Sequence, residues 1–349
     1  MTFLYIILAI LIFGALILIH ELGHYLFARL FGVHINEFSI GMGPKIYSKK
    51  SEKTGIDWSL RALPFGGYVS MVGEDGESDD PDAFQKKKPW QRLIILAAGG
   101  LVNILAGFLL MAILVVSTRD NLGSTTIYDF ITTEEVQVAL SDESGLDAGD
   151  KIVKVGKTRV YTANELVYEI MHQGYEPVDI TLIRNGEKIV VNDVIFPTVE
   201  ESGVTFGDYD FRVYGAAPTF KNVVIHAASR CVSTVKMVWD SLSDLITGRY
   251  GVEAVSGPVG VTEVIVETAK SKQIENLIYI AAVIAVNLGV MNLLPVPALD
   301  GGRIVFVLYE MIFRRPINRK VEGYLHAAVM LLLFMFIAFI TLKDIIKLF

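Results

Sequence analysis

His20 and His24 stand four residues apart, with Glu21 directly after the first, in the run His20-Glu21-Leu22-Gly23-His24. On an α-helix this spacing sets the two imidazoles about 40° apart on one face, where both can grip one cation. Glu21 points about 100° away from His20, which puts its carboxylate beside the ion rather than on it, where it can take a proton from bound water. The single cysteine, Cys231, sits in an apolar-periodic stretch and reads as packing, so a metal here must use imidazole and carboxylate ligands. Zinc held by two neutral imidazoles and a carboxylate keeps a fourth position for water, whose pKa falls toward about 7. The chemistry expected is metal-assisted peptide hydrolysis, the ion polarising the scissile carbonyl and Glu21 passing the proton to the leaving amine.

The element that must carry this motif is apolar. Phe3 to Ile19 is an apolar run that continues through Tyr25-Leu26-Phe27-Ala28, with no basic residue before it and no small-residue cleavage pattern after it. It reads as a retained transmembrane helix rather than a signal peptide. An ionisable group at the centre of such a helix costs about 2.5 to 3.5 kcal/mol on insertion scales and marks a functional site. The whole chain agrees: of 349 residues 52% are hydrophobic and 20% charged, with a mean hydropathy of +0.47. A net charge of -7 gives a nucleic-acid partner no electrostatic support.

Four segments have the length and character of membrane spans, at about 3–30, 92–117, 274–294 and 324–342, and the shorter run Ile304 to Phe313 reads as a buried or re-entrant helix. Lys and Arg number 8 in residues 32–90, 5 in 295–322 and 14 in the much longer 118–272. The two dense loops belong on the cytoplasmic side, which leaves 118–272 outside. The first and third spans then both run inward. Asp300 comes after the end of the third span and arrives at the depth of His20 and His24, where a third ligand is needed.

Outside, Lys151 to Val155, Val178 to Ile183 and Lys188 to Val194 read as strands, with Asn185-Gly186 as a hairpin turn and Ala163 to Met171 as a helix. Val223 to Ile246 reads as an amphipathic helix, and Gly248 to Gly260 breaks that pattern. On the cytoplasmic side, residues 55–70 alternate, with Pro64-Phe65-Gly66-Gly67-Tyr68-Val69 as a second strand. Substrates that are transmembrane helices must be unwound before their amides can be cut, and this hairpin either pairs with the unwound strand or is an ordinary surface hairpin.

Together with His20-Glu21-Leu22-Gly23-His24, the runs Gly41-Met42-Gly43-Pro44, Pro64 to Val69, Gly257-Pro258-Val259-Gly260 and Asn292-Leu293-Leu294-Pro295-Val296-Pro297-Ala298-Leu299-Asp300-Gly301-Gly302 carry a resemblance over nearly the whole chain. It resembles the site-2 proteases, most closely the bacterial RseP/RasP-type branch of regulated intramembrane proteases. The resemblance implies that Asp300 is the third zinc ligand, and that Asn287, Asn292, Pro295 and Pro297 bind the unwound substrate. It also implies a PDZ domain near 118–215, where Gly145 to Val155 looks like the domain's turn-and-strand signature.

The expected fold is a multi-pass α-helical membrane protein with about four transmembrane helices, a membrane-associated β-hairpin and an extracytoplasmic α+β PDZ domain. Its divisions are a first span at 1–31, a cytoplasmic loop at 32–90, a second span at 91–117, the PDZ domain at 118–215, an amphipathic juxtamembrane region at 216–272, a third span with a short helix at 273–322, and a fourth span at 323–349. The expected setting is a bacterial inner (cytoplasmic) membrane. The partners are membrane lipid and transmembrane substrates, such as anti-sigma-factor-like proteins or signal-peptide remnants, cut after a first external cleavage. The rival readings are a PDZ-bearing membrane adaptor with a structural metal and a zinc transporter, neither of which needs a general base at Glu21.

Overall fold

The computed structural model describes residues 2–74, 76–117, 122–132, 138–201, 203–249, 251, 255–271, 273–315 and 317–347. The boundaries expected at 118 and 272 lie outside these residues. The chain forms two compact units, one of residues 1–107 with 256–349 and one of residues 108–255.

The first unit opens with α1 (Thr2–Leu30), followed by the strands β1 (Ile35–Lys50) and β2 (Asp57–Met71) and by α2 (Pro89–Ser117), whose first part belongs to this unit. Among the described residues four helices are long and apolar enough to cross a membrane, Phe3–Leu30, Pro89–Ser117, Ile274–Leu293 and Lys320–Ile346. A helix that is apolar all round has no aqueous face and belongs in lipid or in the centre of a bundle. This is a multi-pass membrane protein.

Sequence patterning divided 55–70 into two strands, whereas the structure has one long bent strand, β2, and an equally long partner, β1, that patterning missed. Residues 37–40 of β1 pair with 57–60 on one side and with 67–70 on the other, and residues 45–50 pair back onto 57–61. The two bent strands therefore make four antiparallel ribbons in the order 67–71, 35–40, 57–61, 45–50. Gly41 and Gly43 in the bend of β1, and Gly66 in that of β2, have φ near +80°, which a side chain would oppose. Ribbon 67–71 forms one edge, and its outer side pairs with no strand among the described residues.

The base of this sheet is anchored. Ile35, Phe38, Ile56 and Met71 join Ala28, Val33, Ile95 and Leu96 in one buried apolar cluster. Within the sheet, the Glu37 carboxylate accepts from Ser59 Oγ at 2.5 Å and Arg61 Nη2 at 2.9 Å and pairs with Lys45 Nζ at 3.2 Å. Burial alone would raise the pKa of Glu37, but these donors outweigh it and hold the carboxyl at about 2.

The second unit contains β3 (Leu122–Phe130), α3 (Leu140–Glu143), β4 (Lys151–Val155), β5 (Thr158–Arg159), α4 (Ala163–Gln173), β6 (Val178–Arg184), β7 (Glu187–Val194), β8 (Thr198–Glu201), β9 (Val204–Gly207), β10 (Phe211–Ala216) and α5 (Phe220–Thr247). Its main sheet runs β10-β3-β4-β6-β7, all antiparallel, with β5 on β4 and a separate β8-β9 pair. Ile127, Ile152, Ile180 and Leu182 from the sheet bury against Leu166 and Ile170 of α4. The turn before β4 is fixed by Asp150, a fully buried carboxylate that accepts from Arg184 Nε at 2.7 Å and from the Asp147 amide at 2.8 Å. α5 lies along α4, joined by Tyr168 to Asp240 at 2.7 Å and Lys236 to Glu169 at 2.6 Å.

The chain returns to the first unit through α6 (Pro258–Lys270), α7 (Ile274–Leu293), α8 (Asp300–Phe313) and α9 (Arg319–Lys347). α6 was not anticipated. Its first turn is satisfied from another helix, since the Asp344 carboxylate on α9 accepts from the amides of Gly257 at 2.8 Å and Gly260 at 3.0 Å. α8 is the expected short helix, starting at Asp300 rather than at Ile304.

Candidate metal centre

His20 and His24 are each 7% exposed, on the face of α1 turned to α2. Two glycines make that approach possible. A Cβ on Gly23 would meet the Ala98 carbonyl oxygen at 2.6 Å, and one on Gly99 would strike both imidazoles. The His24 Nδ1–H donates to the Ile95 carbonyl of α2 at 2.9 Å, which leaves Nε2 with its lone pair free for a metal.

Asp300 opens α8, and the chain before it is tightly bound. The Val296 amide donates to the Leu294 carbonyl at 2.6 Å and the Leu299 amide to the Val296 carbonyl at 3.1 Å. Ala298 is held at φ 87°, a conformation that a non-glycine residue keeps only when its surroundings over-determine it, and its amide donates to His326 Nδ1 of α9 at 3.1 Å. Behind the loop, a Cβ on Gly301 would overlap the carbonyl oxygens of Leu294 and Leu293, so the first turn of α8 packs here only with glycine at its second position. Arg303, one turn on, pairs with Glu74 at 2.5 Å.

The result is a triangle of donor atoms. His20 Nε2 and His24 Nε2 lie 3.1 Å apart, and Asp300 Oδ2 is 3.1 Å from the first and 3.2 Å from the second. Three ligands at about 2.0 to 2.1 Å from a tetrahedral zinc would stand about 3.3 Å from one another, so the nitrogen and oxygen donors fit that ion in both type and spacing. These three are the only such cluster of His, Cys, Asp and Glu among the described residues.

Glu21 turns toward the sheet, where its Oε2 accepts from the Val69 amide of the edge ribbon 67–71 at 3.0 Å. Its Oε1 has no partner among the described residues. A Cβ on Gly66 would strike Ile17, and one on Gly67 would overlap the Ser39 carbonyl oxygen, so both glycines are needed for the ribbon to lie between α1 and β1.

Residues 8–336 match peptidase family M50. The chain belongs to this family. It is 34% identical to a candidate zinc metalloprotease of Clostridium acetobutylicum over 99% of this chain and 98% of that protein, and 33% identical to another of Fusobacterium nucleatum over the full length of both. It is 28% identical to the regulator of sigma-W protease RasP of Bacillus subtilis, over 97% of this chain and 98% of that protein. As an M50 peptidase the protein is a zinc metalloprotease, and the donor triangle suits its metal.

Of the other residues singled out in the sequence, Asn287 is exposed on α7, Asn292 is half-buried in its last turn, and Pro295 and Pro297 lie in the loop before Asp300. The side chains of both asparagines have no hydrogen-bond partner among the described residues. They stand outside the three-donor cluster. Sequence reasoning missed the Ile95 carbonyl, Gly99 and His326. Only Gly99 had a visible signal, as one of a glycine pair inside a span.

Proposed function

We propose that this M50 peptidase is an intramembrane endopeptidase that cuts transmembrane segments of membrane proteins, with zinc on His20, His24 and Asp300 and with Glu21 as general base. The observation that carries this reading is the bond from the Val69 amide to Glu21, which joins the residue beside the donor triangle to a sheet edge that pairs with no further strand among the described residues. A transmembrane helix offers no amides until it is unwound, and an unpaired ribbon supplies the backbone groups that hold it extended. This favours the pairing role of the hairpin over a passive one.

Zinc, when bound, supplies a Lewis acid and a water of lowered pKa. Glu21 is held by one carboxylate oxygen, and its Oε1 is left to accept a proton from water and deliver it to the leaving amine. Asn287, exposed within a span, and Asn292, beside the Asp300 loop, offer carboxamides to the unwound segment, and Pro295 and Pro297 restrict the backbone of the turn that lies beside it.

The clustering of Lys and Arg in 32–90 and 295–322 favours the cytoplasmic side of a bacterial inner membrane for these loops and the outside for residues 118–272. We read residues 118–215 as a PDZ domain that screens the external part of substrates already trimmed by another protease. The likeness to a sigma-W regulator favours anti-sigma-factor-like proteins as substrates, with remnant signal peptides as a second group. Glu21→Gln tests the reading. It should keep zinc and lower cleavage of a trimmed model membrane substrate by about 100-fold or more, and undiminished cleavage would rule out Glu21 as the general base.

A further inference from the structure

Asn103 of α2 is 0% exposed, and neither its Oδ1 nor its Nδ2 has a hydrogen-bond partner among the described residues. A buried carboxamide left unpaired costs on the order of 1 to 3 kcal/mol, so a residue kept in this state calls for an explanation. A second atom has the same defect: Nδ1 of His20 is buried without a partner among the described residues.

The helical register relates the two. Ile95, Gly99 and Asn103 recur at intervals of four and form one row on α2. The row runs antiparallel to α1, with Ile95 accepting from His24 and Gly99 packed against the imidazoles of both His24 and His20. Asn103 is the next position in the direction of His20, about 6 Å beyond Gly99. Side chains on a helix lean toward its N-terminus, so Asn103 covers the surface over Gly99, where the His20 ring lies. Gly100 and Gly107 pack instead on α7, against Gly289 and Val286, so Asn103 falls where α1, α2 and α7 meet.

We infer that Asn103 is a positioning residue for the metal centre: once zinc draws His20 into place, the unpaired Oδ1 of Asn103 is the acceptor for the equally unpaired Nδ1–H of His20 and fixes the tautomer that presents Nε2 to zinc. α2 then serves both histidines, His24 through the backbone of Ile95 and His20 through the side chain of Asn103. A metal-bound imidazole that donates its second N–H is both oriented and made more basic, and loss of such a partner typically costs about 10- to 100-fold in metal affinity.

The inference rests on the reading of His20 as a zinc ligand, and His20→Ala tests that reading separately. Zinc affinity, measured by competition with a chelator on the full-length protein in detergent, should fall about 10- to 100-fold in Asn103→Leu. The metal-free form should melt no lower than the unsubstituted protein, because leucine fills the space without an unpaired amide. Asn103→Asp, which keeps an acceptor at the same reach, should restore the affinity. Unchanged zinc affinity in Asn103→Leu, alongside loss of zinc in His20→Ala, would overturn the inference and leave the ligand set standing. Equal weakening in the Leu and Asp variants would also overturn it, because it would mark a packing role. If Asn103→Leu does not fold, the imidazole nitrogen spectrum of the zinc-loaded unsubstituted protein decides: a slowly exchanging His20 Nδ1–H that is lost in Asn103→Ser supports the inference, and one that persists there overturns it.

Discussion

The two sheets of this protein keep their shape by different means. In the second unit, Ile152, Ile180 and Leu182 are fully buried against Leu166 and Ile170, so the sheet stands on an apolar core of its own. The sheet of β1 and β2 has such a core only at its base, while Ile40, Met42, Ile46, Tyr47 and Leu63 are exposed toward its bends. There the ribbons are tied by Glu37, Ser59, Arg61 and Tyr68, by glycines that allow close approach, and by the Val69 bond to Glu21. A core fixes a sheet as a whole, whereas a polar cluster at its centre leaves an outer ribbon able to change its pairing. The difference suits a firm folding module on one side and an adaptable edge beside the metal centre on the other.

Three substitutions separate these modes of support, in falling order of effect. Leu166→Ala should cost the second unit about 2 to 5 kcal/mol, seen as a lower thermal midpoint, while zinc content is unchanged. A simultaneous loss of zinc would show that the two regions are not separately supported. Gly67→Ala should push ribbon 67–71 off Ser39 and carry Val69 away from Glu21, lowering cleavage about tenfold or more with zinc retained. Full activity there would deny the edge its role. Glu37→Gln should weaken the hairpin by about 1 to 3 kcal/mol, read as faster amide exchange in residues 35–40.

The same cluster sets a pH window. The Glu37 carboxyl titrates at about 2 in the folded sheet against an ordinary value of 4.5, so its contribution is complete above pH 4.5 and is lost as pH falls through 2. Amide protection of 35–40 should therefore hold from about pH 7 to 5 and erode below 4.5. Erosion already at about pH 6 would mean that another group governs the hairpin.

The sequence made the helical part and the candidate metal ligands legible for specific reasons. The spans announce themselves by length and composition, and His20 and His24 by a spacing that only a helix makes meaningful. Asp300 was reachable because charge bias sets the direction of each span and so the depth at which the next loop begins. β1 escaped notice because its bend at Gly41 to Pro44 breaks the alternation on which strand reading depends. α6 escaped because its first turn is completed by Asp344, 87 residues away from Gly257. The carbonyl of Ile95 and the ring of His326 act through backbone and tertiary contacts that carry no local pattern.

The most direct test of the divided zinc centre is metal analysis of purified Asp300→Ala beside Glu21→Gln. Loss of zinc from the first, with about one zinc per chain kept in the second, is the result predicted for a site completed by the loop before α8. Full zinc in Asp300→Ala would contradict it.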